Sequence, residues 1–165
     1  MTEAFLSDAI AHFLSLQTEG HKAFFRQEQW ARILISILKR HDGEEYKLHA
    51  YVAMPDHLHV LMTPFGTVEK AVQPIRDEFS QRAKSEMEWN RPIWEPGFTD
   101  HPIRDEEDWL RHMEYIQRNP VEGRLVSEKV QYEFMGFPDR ALPAGLKAAA
   151  LSDAAFHARG RTVRD

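Results

Sequence analysis

Apolar residues at Trp30, Ile33, Leu34, Ile37 and Leu38 recur at steps of three and four, which predicts a core-facing helix over 27–41 that Asp42-Gly43 closes. The period then changes. Two extended runs, 46–54 and 57–63, flank Pro55-Asp56, where proline presets the turn and aspartate suits the next position, so they read as an antiparallel hairpin. Helical spacing returns at Val68, Ala71, Val72, Ile75, Phe79 and Ala83, with Thr67 as N-cap and Pro74 expected to kink the helix or delay its start. Residues 91–103 place Pro92, Pro96, Gly97 and Pro102 around Ile93, Trp94 and Phe98, an extended, turn-rich crossing with one edge strand. Asp105 then caps a helix to about Arg118, with Trp109, Leu110, Met113 and Ile116 inward and Pro120 ending it. Ahead of all these, 12–17 (HFLSLQ) is a short candidate strand.

The order strand, helix, hairpin, helix, strand, helix predicts an α+β fold: a small antiparallel sheet with helices on one face and the other face open for function. At 165 residues the chain is long enough for one domain with its own core, expected over 1–138. Residues 139–165, with Ala148-Ala149-Ala150, are expected to form a weakly basic tail or peripheral helix.

Composition narrows the function. The absence of cysteine excludes disulfide scaffolds, zinc fingers and thiol catalysis, and suits a reducing cytoplasm. No basic, apolar leader opens the chain and no 18-residue apolar stretch follows, so the expectation is a cytoplasmic protein with no membrane partner. A net charge of −5 argues against gripping long duplex DNA by bulk charge; only the last fifteen residues lean basic.

Two segments carry chemistry. In His57-Leu58-His59, strand alternation sends both imidazoles to one face while Leu58, Val60 and Met62 point to the other. Two such imidazoles can share a divalent ion if a third ligand comes from elsewhere; equally, they are histidines on an exposed hairpin face. In Tyr115-Ile116-Gln117-Arg118-Asn119-Pro120, Tyr115 falls off the apolar stripe, which turns its hydroxyl toward the polar side, one turn from Arg111, His112 and Asn119. The plain alternative is a boundary tyrosine with its hydroxyl at the surface.

Taken together, these segments resemble a known family. The run 48–61, containing Met54-Pro55-Asp56-His57-Leu58-His59-Val60-Leu61, resembles the Met-Pro-(Asn/Asp)-His-hydrophobic-His-hydrophobic-Leu motif of single-tyrosine HUH transposases. Trp94-Glu95-Pro96-Gly97-Phe98 followed by Ile103-Arg104 resembles a block of their REP-associated branch, the REP-associated tyrosine transposases. Tyr115-Ile116 with Asn119-Pro120-Val121 and Gly123-Arg124-Leu125-Val126 resembles that branch's tyrosine helix. The three blocks stand in the family's order across roughly residues 20–126. The sequence departs from the pattern at Ile75-Arg76-Asp77-Glu78-Phe79, where the family often carries a lysine-glycine pair.

The resemblance implies a ferredoxin- or RRM-like HUH-nuclease fold and a metal-dependent endonuclease and strand transferase acting on single-stranded or hairpin DNA, in the form of repetitive palindromic elements. It implies Tyr115 as the nucleophile, giving a covalent 5′-phosphotyrosine, and Mg²⁺ or Mn²⁺ as cofactor on His57 and His59. Asn119, one turn after the tyrosine, is the implied third ligand, with His101 and His112 in reserve and helix capping as Asn119's other use. Arg104, Arg111, Arg118 and Arg124 cluster around the tyrosine as candidate DNA contacts, or as partners of Glu106, Glu107, Asp108 and Glu114. Trp89, Trp94 and Phe98 are candidates for base stacking or for core, Trp94 for core. The family includes monomers and homodimers. Two rival readings remain: a domesticated, catalytically reduced DNA-binding protein that keeps the fold, and a phosphodiesterase that leaves Tyr115 idle.

Overall fold

A computed structural model of the chain describes residues 9–127 and 131–146. The elements are β1 (His12–Gln17), α1 (Glu28–His41), β2 (Tyr46–Met54), β3 (His57–Pro64), α2 (Val68–Met87), β4 (Thr99–Pro102), α3 (Glu106–Glu122) and β5 (Met135–Gly136). The strands form one antiparallel sheet in the order β4-β1-β3-β2-β5. The first six elements, β-α-β-β-α-β, give the ferredoxin-like arrangement that the resemblance implied. The α+β class with an antiparallel sheet is therefore borne out.

One detail is corrected. The helices do not share a face: Leu14, Leu16, Leu48, Tyr51, Leu58, Val60 and Met62 pack with the apolar stripes of α1 and α2 on one side. On the other side Ala50, Val52, Met54 and Leu61 pack with Trp109, Met113 and Ile116 of α3. Two buried faces need two covers, and a hydrophobic run such as β2 cannot leave one side to water.

A bulge reconciles β2 with both cores. Leu48 pairs with Met62 but Ala50 with Leu61, so His49 is the extra residue. The side-chain alternation shifts there, and positions 46 and 48 share a face with 51 and 53 rather than with 50 and 52.

Both predicted N-caps form: the Thr67 side chain accepts from the Lys70 N–H and that of Asp105 from the Asp108 N–H. Pro74 does not delay α2, which starts at Val68. Pro120 does not end α3. The helix runs on to Glu122 because Pro120 is buried, and the N–H groups of Gly123, Arg124 and Leu125 return to carbonyls of residues 119–121. Leu110, expected inward, is exposed at 58%.

On the α1/α2 face, Trp94 packs against Phe25 and Phe79, and Trp89 against Phe24 and Trp30, so these tryptophans serve the core side away from α3. Arg76, inside the departure from the family pattern, donates to the carbonyls of Glu95 and Gly97 and fastens α2 to the 91–98 crossing. Past residue 137, Leu142 and Leu146 join the α3 core; the rest of the expected tail, 147–165, lies outside the described residues. No helix among the described residues is long and apolar enough to cross a membrane.

Candidate functional site

The hairpin β2–β3 and the helix α3 bring three of the predicted residues together. On β3, His57 and His59 emerge on the α3 side, their rings 4.6 Å apart and edge to face. Tyr115 of α3 stands edge-on to His59 with ring centroids 5.3 Å apart, and is 44% exposed. Its phenol is therefore both beside the imidazoles and open to a solvent-borne substrate. Phe13 of β1 packs on His59 at 5.2 Å and on Tyr115 at 5.8 Å, an apolar wedge that holds the two rings in place.

Each histidine is held through its Nδ1. The His57 Nδ1 lies 2.7 Å from an Asp56 carboxylate oxygen, which can only accept, so this nitrogen donates and in the neutral ring the lone pair is on Nε2. The His59 Nδ1 lies 2.7 Å from the Ser15 hydroxyl, its cross-strand neighbour in the β1–β3 register. Burial, with the nearby His57 charge second, pushes the His59 pKa down to about 3, so this imidazole is neutral near pH 7. Its Nε2 is buried with no hydrogen-bond partner among the described residues.

Asn119 supplies a matching observation. It sits inside α3 one turn past Tyr115, 9% exposed, and its Oδ1 is likewise buried without a partner. A buried polar atom left unsatisfied costs about 1–3 kcal/mol, so the His59 Nε2 and the Asn119 Oδ1 each call for a partner. Two imidazole nitrogens and an amide oxygen are a donor set suited to a divalent cation, so the residues fit the metal that the resemblance implies.

The reserve ligands are elsewhere. His101 and His112 converge on Asp108: His101 Nε2 lies 2.8 Å from one carboxylate oxygen and His112 Nδ1 3.1 Å from the other. These three residues could hold a metal ion of their own.

The arginines are spread along the exposed side of α3 and beyond it. Arg118 lies 3.5 Å from Glu114 and 3.6 Å from Glu122, Arg111 lies 3.7 Å from Glu107, and Arg104 lies 4.0 Å from Asp108. Arg124 follows the helix in a left-handed backbone conformation with φ 60°, and forms no ion pair among the described residues.

Sequence reasoning missed Ser15, Asp56 and Asp108. Asp56 was readable, since a carboxylate next to a candidate ligand is a ready orienting group. Ser15 was not, because only strand register brings it opposite His59.

No family model matches the chain. It is 25% identical over 128 residues to the REP-associated tyrosine transposase of Escherichia coli K12, a match covering 76% of this chain and 74% of that protein. A Haemophilus influenzae protein provisionally named for the same family is 28% identical over 100 residues, covering 53% of this chain and 57% of that one. Among solved structures, the fold is similar to that of a REP-associated tyrosine transposase bound to a REP hairpin, with a TM-score of 0.64, 23% identity and coverage of 77% of this chain and 76% of the other.

Proposed function

We propose, for a chain similar in sequence and in fold to the REP-associated tyrosine transposases, that it nicks and rejoins single-stranded or hairpin DNA through Tyr115. The observation that carries this reading is the junction of β3 and α3. An exposed phenol stands edge-on to a buried neutral imidazole, which a second imidazole adjoins.

His57, His59 and Asn119 would hold the metal, Mg²⁺ or Mn²⁺. When bound, it would draw charge from a non-bridging phosphate oxygen as phosphorus becomes five-coordinate. Everything else falls to the chain's own groups. Asp56 and Ser15 hold the two imidazoles through Nδ1 and leave both Nε2 atoms for the ion, which removes reorganisation at the moment of reaction. Phe13 and His59 flank the Tyr115 ring and leave its hydroxyl free to approach a phosphorus in line.

A phenol is a weak nucleophile until its proton leaves. As it does, the Tyr115 Oη–P bond forms, the P–O3′ bond breaks, and the 3′ oxygen takes up a proton. The products are a 5′-phosphotyrosine and a free 3′-hydroxyl. One phosphodiester replaces another, so attack by a 3′-hydroxyl reverses the step and joins strands without a nucleotide cofactor. Arg124, which has no ion pair among the described residues, is the best placed of the four arginines to meet a phosphate; Arg104, Arg111 and Arg118 would first leave their carboxylates.

The rival, a DNA-binding protein that has lost catalysis, draws support from those same paired arginines only as a weak binder, and it gives no reason for an exposed tyrosine beside His59. The test is incubation of the chain with labelled hairpin DNAs and Mg²⁺ or Mn²⁺ on a denaturing gel, beside Tyr115→Phe. A slow, protease-sensitive adduct present in the wild type and lost in the variant is expected. Nuclease activity that survives in Tyr115→Phe contradicts the covalent mechanism, and hairpin binding with no adduct from any substrate favours the rival.

A further inference from the structure

We propose that His101, Asp108 and His112 form a second divalent-metal site, for a transition ion of the Zn²⁺ class, separate from the His57–His59 pair. The inference does not depend on DNA cleavage.

The geometry is nearly that of a loaded site. One ligand atom from each residue lies within 4.8 Å of the others. His101 Nε2 faces one Asp108 oxygen at 2.8 Å and His112 Nδ1 faces the other at 3.1 Å, while the two rings stack 4.6 Å apart. In a tetrahedral zinc site with bonds of about 2.0–2.2 Å, donor atoms stand roughly 3.3–3.6 Å apart. Replacing the N–H···O protons by one ion therefore needs a few tenths of an ångström of opening at the two histidine–carboxylate contacts, with the two imidazole nitrogens, within 4.8 Å of each other, drawn to the same ion. Asp108 and His112 are at i and i+4 of α3, so helical spacing alone sets two ligands on one face, and the edge strand β4 brings the third.

The carboxylate is prepared for the role. Asp108 is 2% exposed, its oxygen accepts from the Arg104 backbone N–H at 3.0 Å, and its own N–H is capped by Asp105. His101 and His112 are partly open, which leaves a fourth position for water. His112 Nδ1 also lies 2.8 Å from the Asp108 carbonyl, a contact that metal binding would exchange for the ion. The Arg104 guanidinium, 4.0 Å from the carboxylate, is nearly half exposed and can turn to solvent, and Arg111, next to His112 in the chain, is exposed as well.

Two imidazoles and a carboxylate are the ligands of His₂-carboxylate zinc sites. An ion here would tie β4 to the start of the helix that carries Tyr115 and Asn119. Phe13 touches the rings of both His112 and His59, so the two sites share an aromatic neighbour but no donor atom.

The test uses the full chain carrying His57→Ala and His59→Ala, titrated with Zn²⁺ by calorimetry and with Co²⁺ by visible absorption. One tight equivalent is expected, with a four-coordinate Co²⁺ spectrum and a raised melting temperature. Adding His101→Gln and His112→Gln should weaken that binding by tenfold or more while circular dichroism shows the fold retained. Should those substitutions prevent folding, X-ray absorption on the zinc-loaded protein with His101 and His112 intact reads the ligands directly. Two imidazoles and an oxygen donor support the site. No tight equivalent, binding indifferent to His101 and His112, or a shell with fewer than two imidazoles overturns it.

Discussion

Ser15 and Asp56 decide which nitrogen His59 and His57 present, and burial decides the charge that His59 carries. Burial has a cost in acid. His59 and His49 are both buried with lowered pKa, by desolvation first; His49 lies against Thr63 and Trp109. Above about pH 6.5 both are neutral whether the chain is folded or not. As pH falls below that value the unfolded chain takes up protons that the folded chain refuses, so stability declines until the lowered folded-state pKa is reached. Each histidine contributes up to about 1.4 kcal/mol per pH unit in that window. Urea midpoints of the metal-free protein measured between pH 7.5 and 5 should fall steadily, and less steeply in His49→Gln; equal slopes would contradict the assignment.

At the scale of elements, α3 is the part that turns a sheet into a site. It docks through Trp109, Met113 and Ile116, and that docking sets where Tyr115 stands over His59 of β3. Trp109 is 1% exposed and edge-on to His49 at 4.9 Å, while its neighbour Leu110 is 58% exposed. Trp109→Ala should cost about 3–5 kcal/mol, whereas Leu110→Ala should stay within about 0.5 kcal/mol. Thermal and urea unfolding measure both; comparable losses at the two positions would mean that α3 is not held by this face. The register of α3 on the sheet also explains the run through Pro120. Burying Pro120 and Asn119 against the sheet outweighs one missing intrahelical hydrogen bond.

At the scale of the whole molecule, the sheet separates stability from chemistry. The α1/α2 face holds the larger core, and the α3 face holds both candidate metal clusters. The surface does not favour polyanions, with a net charge of −5 and arginines of α3 already beside carboxylates. DNA binding should therefore be local, through about two to four phosphates, giving a slope of log affinity against log salt of roughly −1.5 to −3 for single strands. Fluorescence anisotropy on a hairpin between 50 and 200 mM salt, about the range where such slopes are read, checks this. A slope steeper than about −6 would mean a far wider phosphate grip than this surface offers.

The sequence by itself determined most of the elements and the facing of the residues that matter most within them. His57 and His59 share a face because strands alternate, Tyr115 lies off the α3 stripe because helices turn 3.6 residues at a time, and Thr67 and Asp105 cap because their oxygens reach the next turn. The order of those elements and three short motifs were enough to indicate the resemblance to REP-associated tyrosine transposases. Tertiary structure alone decided which residues meet. The bulge at His49 sends β2 to two cores, α3 covers the face expected to lie open, Ser15 falls opposite His59, and His101 leaves the His57–His59 pair for Asp108. The reason is physical. Periodicity is set by backbone geometry within a few residues, whereas register, bulges and docking faces are settled by packing between segments tens of residues apart, where local pattern carries no information.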